Sequence, residues 1–400
     1  MTVLLKVKDG VIWTLFALVI GILVGTLATV FGRVLLWIGE LRSAHFLIFL
    51  PFLSLVGMLI VLIYQRYGGN AGKGMALIFE VGHGRDDEIP KRLIPLVMVT
   101  TWLTHLFGGS AGREGVAVQL GATVSYQLGK SYFSRREQKR LIVMGMAAGF
   151  AGLFQTPLAA TLFAMEILVV GSLAVSAFWP ALVAAVVASF ISHSLGLERF
   201  AFPLTGIPDL TMELFFKLIL LGVLFGLCGN AFAWSLAHLK GVVSQWFPSP
   251  YRRIVVLGFV LSLGLLVLGQ GRYAGLGTNL IAASFSGRGI AAYDWFFKLI
   301  FTVVTLAAGY QGGEVTPLFA IGASLGVFLA PFFGLPLVFV AALGYAGVFA
   351  GASSTFLGPI LIGCEVFGFV HFPAFFIVCS LAFLLNRSQS IYSLQKVAES

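Results

Sequence analysis

Apolar residues fill this chain in long unbroken stretches rather than in the alternating or one-faced patterns of soluble strands and helices. A helix of roughly 20 apolar residues crosses the hydrocarbon of a bilayer. Stretches of about that kind fall at 11–31, 46–64, 93–107, 171–194, 214–238, 254–269, 295–309 and 372–385. Denser stretches broken by glycine lie between them, and several runs are too short or too interrupted to be simple spans. The pattern predicts an all-α polytopic membrane protein in which whole spans mix with broken and re-entrant helices.

Composition agrees with the pattern. Of 400 residues, 59% are hydrophobic and 10% charged, with mean hydropathy +0.99, whereas a soluble domain is about 25% charged. The net charge of +9 forms no basic patch with interleaved aromatics, so nucleic acid is not an expected partner. The basic residues instead punctuate expected loops: Lys6 and Lys8; Arg85, Lys91 and Arg92; Lys130, Arg135, Arg136, Lys139 and Arg140; Lys240, Arg252 and Arg253; Arg387 and Lys396. The positive-inside rule makes these one cytoplasmic set and puts both termini inside. Residues 11–31 lack the small-residue cleavage site of a signal peptide and read as a retained span. Cys228, Cys364 and Cys379 have no metal spacing and read as small core residues.

An internal repeat organises the chain. Residues 145–166 laid over 344–365, an offset of 199, give nine identities in 22 positions. The runs GGSAGREGVAVQLGA around Glu114 and GYQGGEVTPLFAIGASLG around Glu314 fall at an offset of 200. Each half therefore reads glycine cluster, glutamate, helix, connector, then a Gly/Ala-rich helix ending in Glu166 or Glu365, and the expected division of the single membrane domain is 1–205 and 206–400. The connector 130–140 carries five positive charges and its counterpart 330–340 none, which places them on opposite faces of the membrane and makes the repeats inverted. Inverted repeats with interrupted helices are a signature of secondary transporters, whose ions bind near the midplane where half-helix N-termini converge. Such N-termini present unpaired N–H groups and suit an anion.

A carboxylate at membrane depth is costly unless it meets water, an ion or a partner. Glu114 has two readings: an ion pair with Arg113 at a surface turn, or a gate whose carboxylate competes with an anion for helix N–H groups and leaves on protonation. Glu314 is either a helix-capping acid, or a second proton carrier or part of the gate around Thr316. Glu166 and Glu365 recur symmetrically and read as structural. GGNAGKG at 68–74 misses a phosphate loop in its first glycine and in Gly74, where Ser or Thr is required. The histidines at 45, 83, 105, 193, 238 and 371 are scattered without zinc spacing, so neither an enzyme nor a cofactor is expected.

The segment GREGVAVQLGA, the run FQTPLAATLFAMEI, the run GGEVTPLFAIGASLG and terminal Tyr392, in this order and over most of the chain, resemble the CLC family of anion channels and anion/proton antiporters. The resemblance implies an inverted-repeat CLC-type fold and a homodimer with one pore per subunit. Departures point to one branch. AGKGMALIFE stands where chloride-type members carry a serine-bearing Gly-Ser-Gly-Ile-Pro turn. Gly313-Glu314-Val315-Thr316-Pro317 stands where Phe is usual after glycine, and Ile167 falls where chloride/proton antiporters carry an internal glutamate. These features are similar to the fluoride-exporting CLC-F branch.

The resemblance implies a fluoride/proton antiporter, with a passive CLC-type anion channel or a chloride/proton antiporter as alternatives. It implies proton coupling and gating by Glu114 and Glu314, anion binding by Gly74, Met75, Gly115, Val116, Val315, Thr316 and Tyr392, and a site lined by Phe79. The expected partners are fluoride, protons and the bilayer. The short tail after Tyr392 leads to no expected regulatory domain, and the setting is an inner or plasma membrane.

Overall fold

A computed structural model describes residues 2–85, 88–204, 208, 210–287, 289–385 and 389–397, and for 2–7 only the backbone. The expected boundary between 205 and 206, the side chain of Lys6, and Arg387 lie outside the described residues. The described helices are, in chain order, α1 (Thr2–Ala44), α2 (Phe46–Phe49), α3 (Leu53–Ile63), α4 (Met75–Gly82), α5 (Leu93–Leu106), α6 (Glu114–Gly129), α7 (Gln138–Phe154), α8 (Pro157–Glu166), α9 (Phe178–Ser194), α10 (Met212–Trp246), α11 (Pro250–Val267), α12 (Thr278–Ser286), α13 (Asp294–Ala308), α14 (Val315–Phe333), α15 (Leu337–Ser353), α16 (Leu357–Phe367) and α17 (Phe372–Leu384). The chain is thus an all-α polytopic protein, with helices long and apolar enough to cross a membrane beside others of 10–17 residues.

Two expectations need correction, while the run 46–64 lies within one helical segment, Phe46–Gly82, long and apolar enough to cross a membrane, with Pro51 in a 3₁₀ turn between α2 and α3. Each Gly/Ala-rich segment is two helices rather than one. Gln155 (φ 58°) and Ser354 (φ 51°) close α7 and α15 in the left-handed conformation, and Pro157 then starts α8. Several basic residues assigned to loops are helical: Lys139 and Arg140 lie in α7, Lys240 lies in α10, and Arg252 and Arg253 lie in α11.

The centre is built from α6, α7, α14 and α15. Leu141–Phe154 of α7 and Phe339–Ser353 of α15 are buried throughout. Lipid tails are as apolar as leucine, so association here depends on close packing by small residues. A Cβ on Gly121 would lie 2.0 Å from the Gly145 carbonyl oxygen, and a Cβ on Gly322 would lie 2.0 Å from that of Gly344. The same backbone contact therefore joins α6 to α7 and α14 to α15. Large apolar side chains outside this centre, among them Leu15, Leu47, Phe259 and Val267, are exposed, as lipid contact requires.

Two devices tie the repeats together. The glycine loops preceding α6 and α14 form an antiparallel bridge, with Gly112 N donating to Gly313 O (2.5 Å) and Gly313 N to Gly112 O (2.8 Å). The glutamates that end the repeated segments cap each other's helices. Glu166 accepts from the N–H groups of Phe356, Leu357 and Gly358 at 3.1, 3.0 and 2.7 Å, at the start of α16. Glu365 accepts from those of Leu158 (3.3 Å) and Ala159 (2.8 Å), at the start of α8. Each carboxylate satisfies N–H groups that have no partner within their own helix and meets the positive end of the helix dipole. The tail returns as a strand, β2 (Lys396–Val397), parallel to β1 (Val169–Val170). With the bond from Ile391 N to Ala352 O, that pairing holds Tyr392 against the core.

Candidate functional site

Glu114 is the first residue of α6 and fully buried. Its Oε2 accepts from Thr316 N (3.1 Å), from Arg113 N (3.3 Å) and from the Thr316 hydroxyl. Thr316 lies in the first turn of α14, so the N–H the carboxylate occupies belongs to the opposite half of the chain. Arg113 Nε stands 3.7 Å from Oε1, an oxygen that accepts no hydrogen bond from the described residues. The Arg113 pair exists, and it lies in the interior. A lone buried carboxylate costs several kcal/mol; here the backbone N–H groups and a hydroxyl on Oε2 and one cation beside Oε1 offset that cost.

Glu314 is the residue before α14. It lines a cavity of about 230 Å³ together with Gly74, Met75, Phe79, Gly115, Gln119, Lys240 and Tyr392. Gly74 turns the chain with φ +55° immediately before α4, a conformation in which a side chain would be strained, and this aims the start of α4 at the cavity. Met75 opens α4, and Phe79 follows one turn later. Tyr392 is 5% exposed, with its ring stacked on that of Phe79 at 5.7 Å. Its hydroxyl makes no hydrogen bond among the described residues, and both Glu314 and Glu114 lie within electrostatic reach of it.

The expected residues therefore separate into two adjoining groups. Gly74, Met75, Phe79, Gly115, Glu314 and Tyr392 line the cavity. Glu114 and Thr316 meet behind it, and Val116 and Val315, both buried, pack beside them without lining it. Gly115 joins the groups, since a Cβ placed on it would lie 3.7 Å from Glu314 Oε2. Reading the sequence missed Gln119 and Lys240. Gln119 carried a usable signal, being the one amide near the start of α6 and four residues after Gly115. Lys240 carried none, because its approach to the cavity depends on how α10 packs. A site built of two carboxylates, helix N-termini, a phenol and an amide can hold a small anion and move protons. No group of metal ligands occurs among the described residues.

A multi-pass helical protein whose broken helices point their N-termini at a buried carboxylate is an ion-conducting or ion-exchanging membrane protein. Residues 56–387 match the family model for the voltage gated chloride channel, and the chain belongs to that family, the CLC proteins. A chloride/fluoride channel protein of Pseudomonas syringae pv. tomato is 35% identical over 396 residues, covering 97% of this chain and 87% of that protein. A crystal structure of a CLC-type fluoride/proton antiporter superposes with a TM-score of 0.96 at 52% identity, covering 97% of this chain and 98% of the other. A slow cyanobacterial Cl⁻/H⁺ antiporter shares the fold, with a TM-score of 0.83 at 21% identity.

Proposed function

We propose that this chain exports fluoride in exchange for protons, as a secondary active transporter. The observation that carries the reading is the Glu114 carboxylate seated on the N–H and hydroxyl of Thr316, directly behind a cavity that holds a second acid, Glu314. While ionised, Glu114 fills the N–H position an anion would take. Once protonated it loses its claim to that position, so proton and anion occupancy become linked through one side chain. Glu314 is the second proton carrier, on the cavity side. Gly74, Met75, Gly115, Val116, Val315, Thr316 and Tyr392 surround the anion through their backbone and side chains, and Phe79 shapes the lining.

Fluoride rather than chloride is supported by the 52% identity to a fluoride/proton antiporter and by Met75 and Glu314 at the two motif departures. Fluoride is small and strongly hydrated, so its water must be replaced by short, directed donors. Hydrogen fluoride is a weak acid that enters from acid surroundings and dissociates inside, and an exporter driven by inward protons removes the trapped ion. The protein works as a homodimer with a cavity in each subunit, its halves 1–205 and 206–400 inverted with respect to each other. It lies in an inner or plasma membrane with both termini cytoplasmic, a placement supported by the five basic residues at 130–140.

The second reading is a passive anion channel, favoured by the name of the Pseudomonas relative. Liposomes loaded with fluoride and a pH dye separate the two. Uphill proton uptake driven by a fluoride gradient is the result expected of an exchanger; fluoride leak without proton movement would establish a channel.

A further inference from the structure

One buried polar side chain on the cavity wall has no part in the glutamate scheme. Gln119 lies on α6 four residues after Gly115, so the two share a helix face, and that face is turned toward Glu314. Gln119 is 8% exposed. Its Oε1 is occluded and without a hydrogen bond among the described residues, and lies 3.5 Å from where a Cβ on Gly74 would be. Its Nε2 also makes no hydrogen bond among the described residues, yet it is not among the occluded atoms, so the NH₂ end opens on the cavity that Gln119 lines. A buried amide left unsatisfied is costly, and such a group marks a place where something other than protein completes the bonding.

The rest of the lining narrows what that is. The Tyr310 hydroxyl is committed to Leu53 O at 2.9 Å, and Gln311 is held between Tyr64 and Gly309. Among the buried uncharged side chains of the lining, the Tyr392 hydroxyl and the Gln119 amide are the donors without a partner among the described residues. One comes from the tail and the other from α6. We propose that Gln119 Nε2 is a direct ligand of fluoride in this cavity and a determinant of fluoride over chloride. An N–H group is a small, directed donor that replaces one water of a tightly hydrated ion, while a larger, more weakly hydrated ion gains less from it.

This assignment rests on the fluoride transport proposed above, and the test separates the two. Gln119→Met keeps length and volume but removes the donors; Gln119→Glu keeps shape but adds a charge that repels an anion. Each variant is reconstituted and its fluoride and chloride efflux compared with the unmodified protein, with fluoride affinity measured by calorimetry. Gln119→Met is expected to weaken fluoride binding about tenfold, as for loss of one hydrogen bond to a charged group, and to lower the fluoride-to-chloride ratio. Unchanged fluoride affinity and ratio, or a proportional loss of both anions, overturns the assignment. If Gln119→Met does not fold, Gln119→Glu decides, and fluoride binding as tight as in the unmodified protein overturns it. Absence of fluoride–proton exchange in the unmodified protein would instead remove the function on which the assignment rests.

Discussion

Glu114 and Glu314 occupy matching places in the two halves, yet they live in different surroundings. Glu114 is sealed, with three donors on one oxygen and an arginine beside the other. Glu314 faces a cavity. The difference is written into the residues around them. At the offset of 200, Arg113 matches Gly313, and Thr316 matches Val116. The first half therefore supplies the cation, and the second half supplies the hydroxyl that reaches across to Glu114. Nothing equivalent reaches back, because valine has no hydroxyl and glycine no charge. A duplicated scaffold thus gives one acid held by protein donors and one that faces a cavity. The scaffold itself stays symmetric, in the Gly121–Gly145 and Gly322–Gly344 contacts and in the reciprocal caps of Glu166 and Glu365.

The largest effects are expected where symmetry is kept. Gly121→Val and Gly322→Val each drive a side chain into the backbone of the neighbouring helix, at a cost of at least about 3 kcal/mol. Both are expected to abolish the monodisperse peak in detergent chromatography to a similar degree. A well-folded Gly322→Val beside an unfolded Gly121→Val would show that the two packings are not equivalent.

At the site the halves are expected to diverge. Glu114→Gln removes the charge that competes with the anion and is expected to reduce proton movement about 100-fold or more, the scale of a lost proton-transfer group. Proton coupling preserved in that variant, measured by internal pH in liposomes, counts against the gating role. Glu314→Gln separates its two readings. A proton carrier predicts coupling lowered about 100-fold or more. A helix-capping acid predicts intact exchange with a lower melting temperature, from the loss of about 0.5–1 kcal/mol at the dipole.

Thr316→Val gives the second half the residue that the first already has at 116. Losing a hydroxyl bond to a carboxylate shifts the gate by about tenfold, so fluoride leak uncoupled from protons is expected to rise, and Thr316→Ser to restore tight exchange. If Val and Ser behave alike, the hydroxyl is not what holds Glu114.

Part of this was legible in the chain. The offset of 200 and the two Gly-Glu runs marked Glu114 and Glu314 as a matched pair, because a duplicated fold preserves spacing. The helix breaks at Gln155 and Ser354 were not legible, since neither is a residue type that usually announces a left-handed turn; tertiary bonds hold them, from Gln155 to Leu197 O and from Ser354 to Gln389 O. The reciprocal caps were half legible: symmetry marked Glu166 and Glu365 as structural, but which N–H groups they satisfy depends on tertiary placement. Gln119 was passed over because one amide in a small-residue helix reads as packing until the cavity beside it is seen.

The smallest effect concerns the cavity rim, where the halves differ again. Lys240 is exposed on α10 and borders the cavity, and its charge acts on Glu314; the Glu114 side has the half-buried Arg113 instead, with Nε 3.7 Å from the carboxylate. A cation at a rim raises the local anion concentration, and its influence fades over about 8 Å at physiological ionic strength. Lys240→Gln is therefore expected to slow fluoride efflux roughly twofold at low salt, with no change near 1 M salt, where screening is nearly complete. An effect that persists at high salt would mean that Lys240 acts by contact, as Arg113 does on the sealed side.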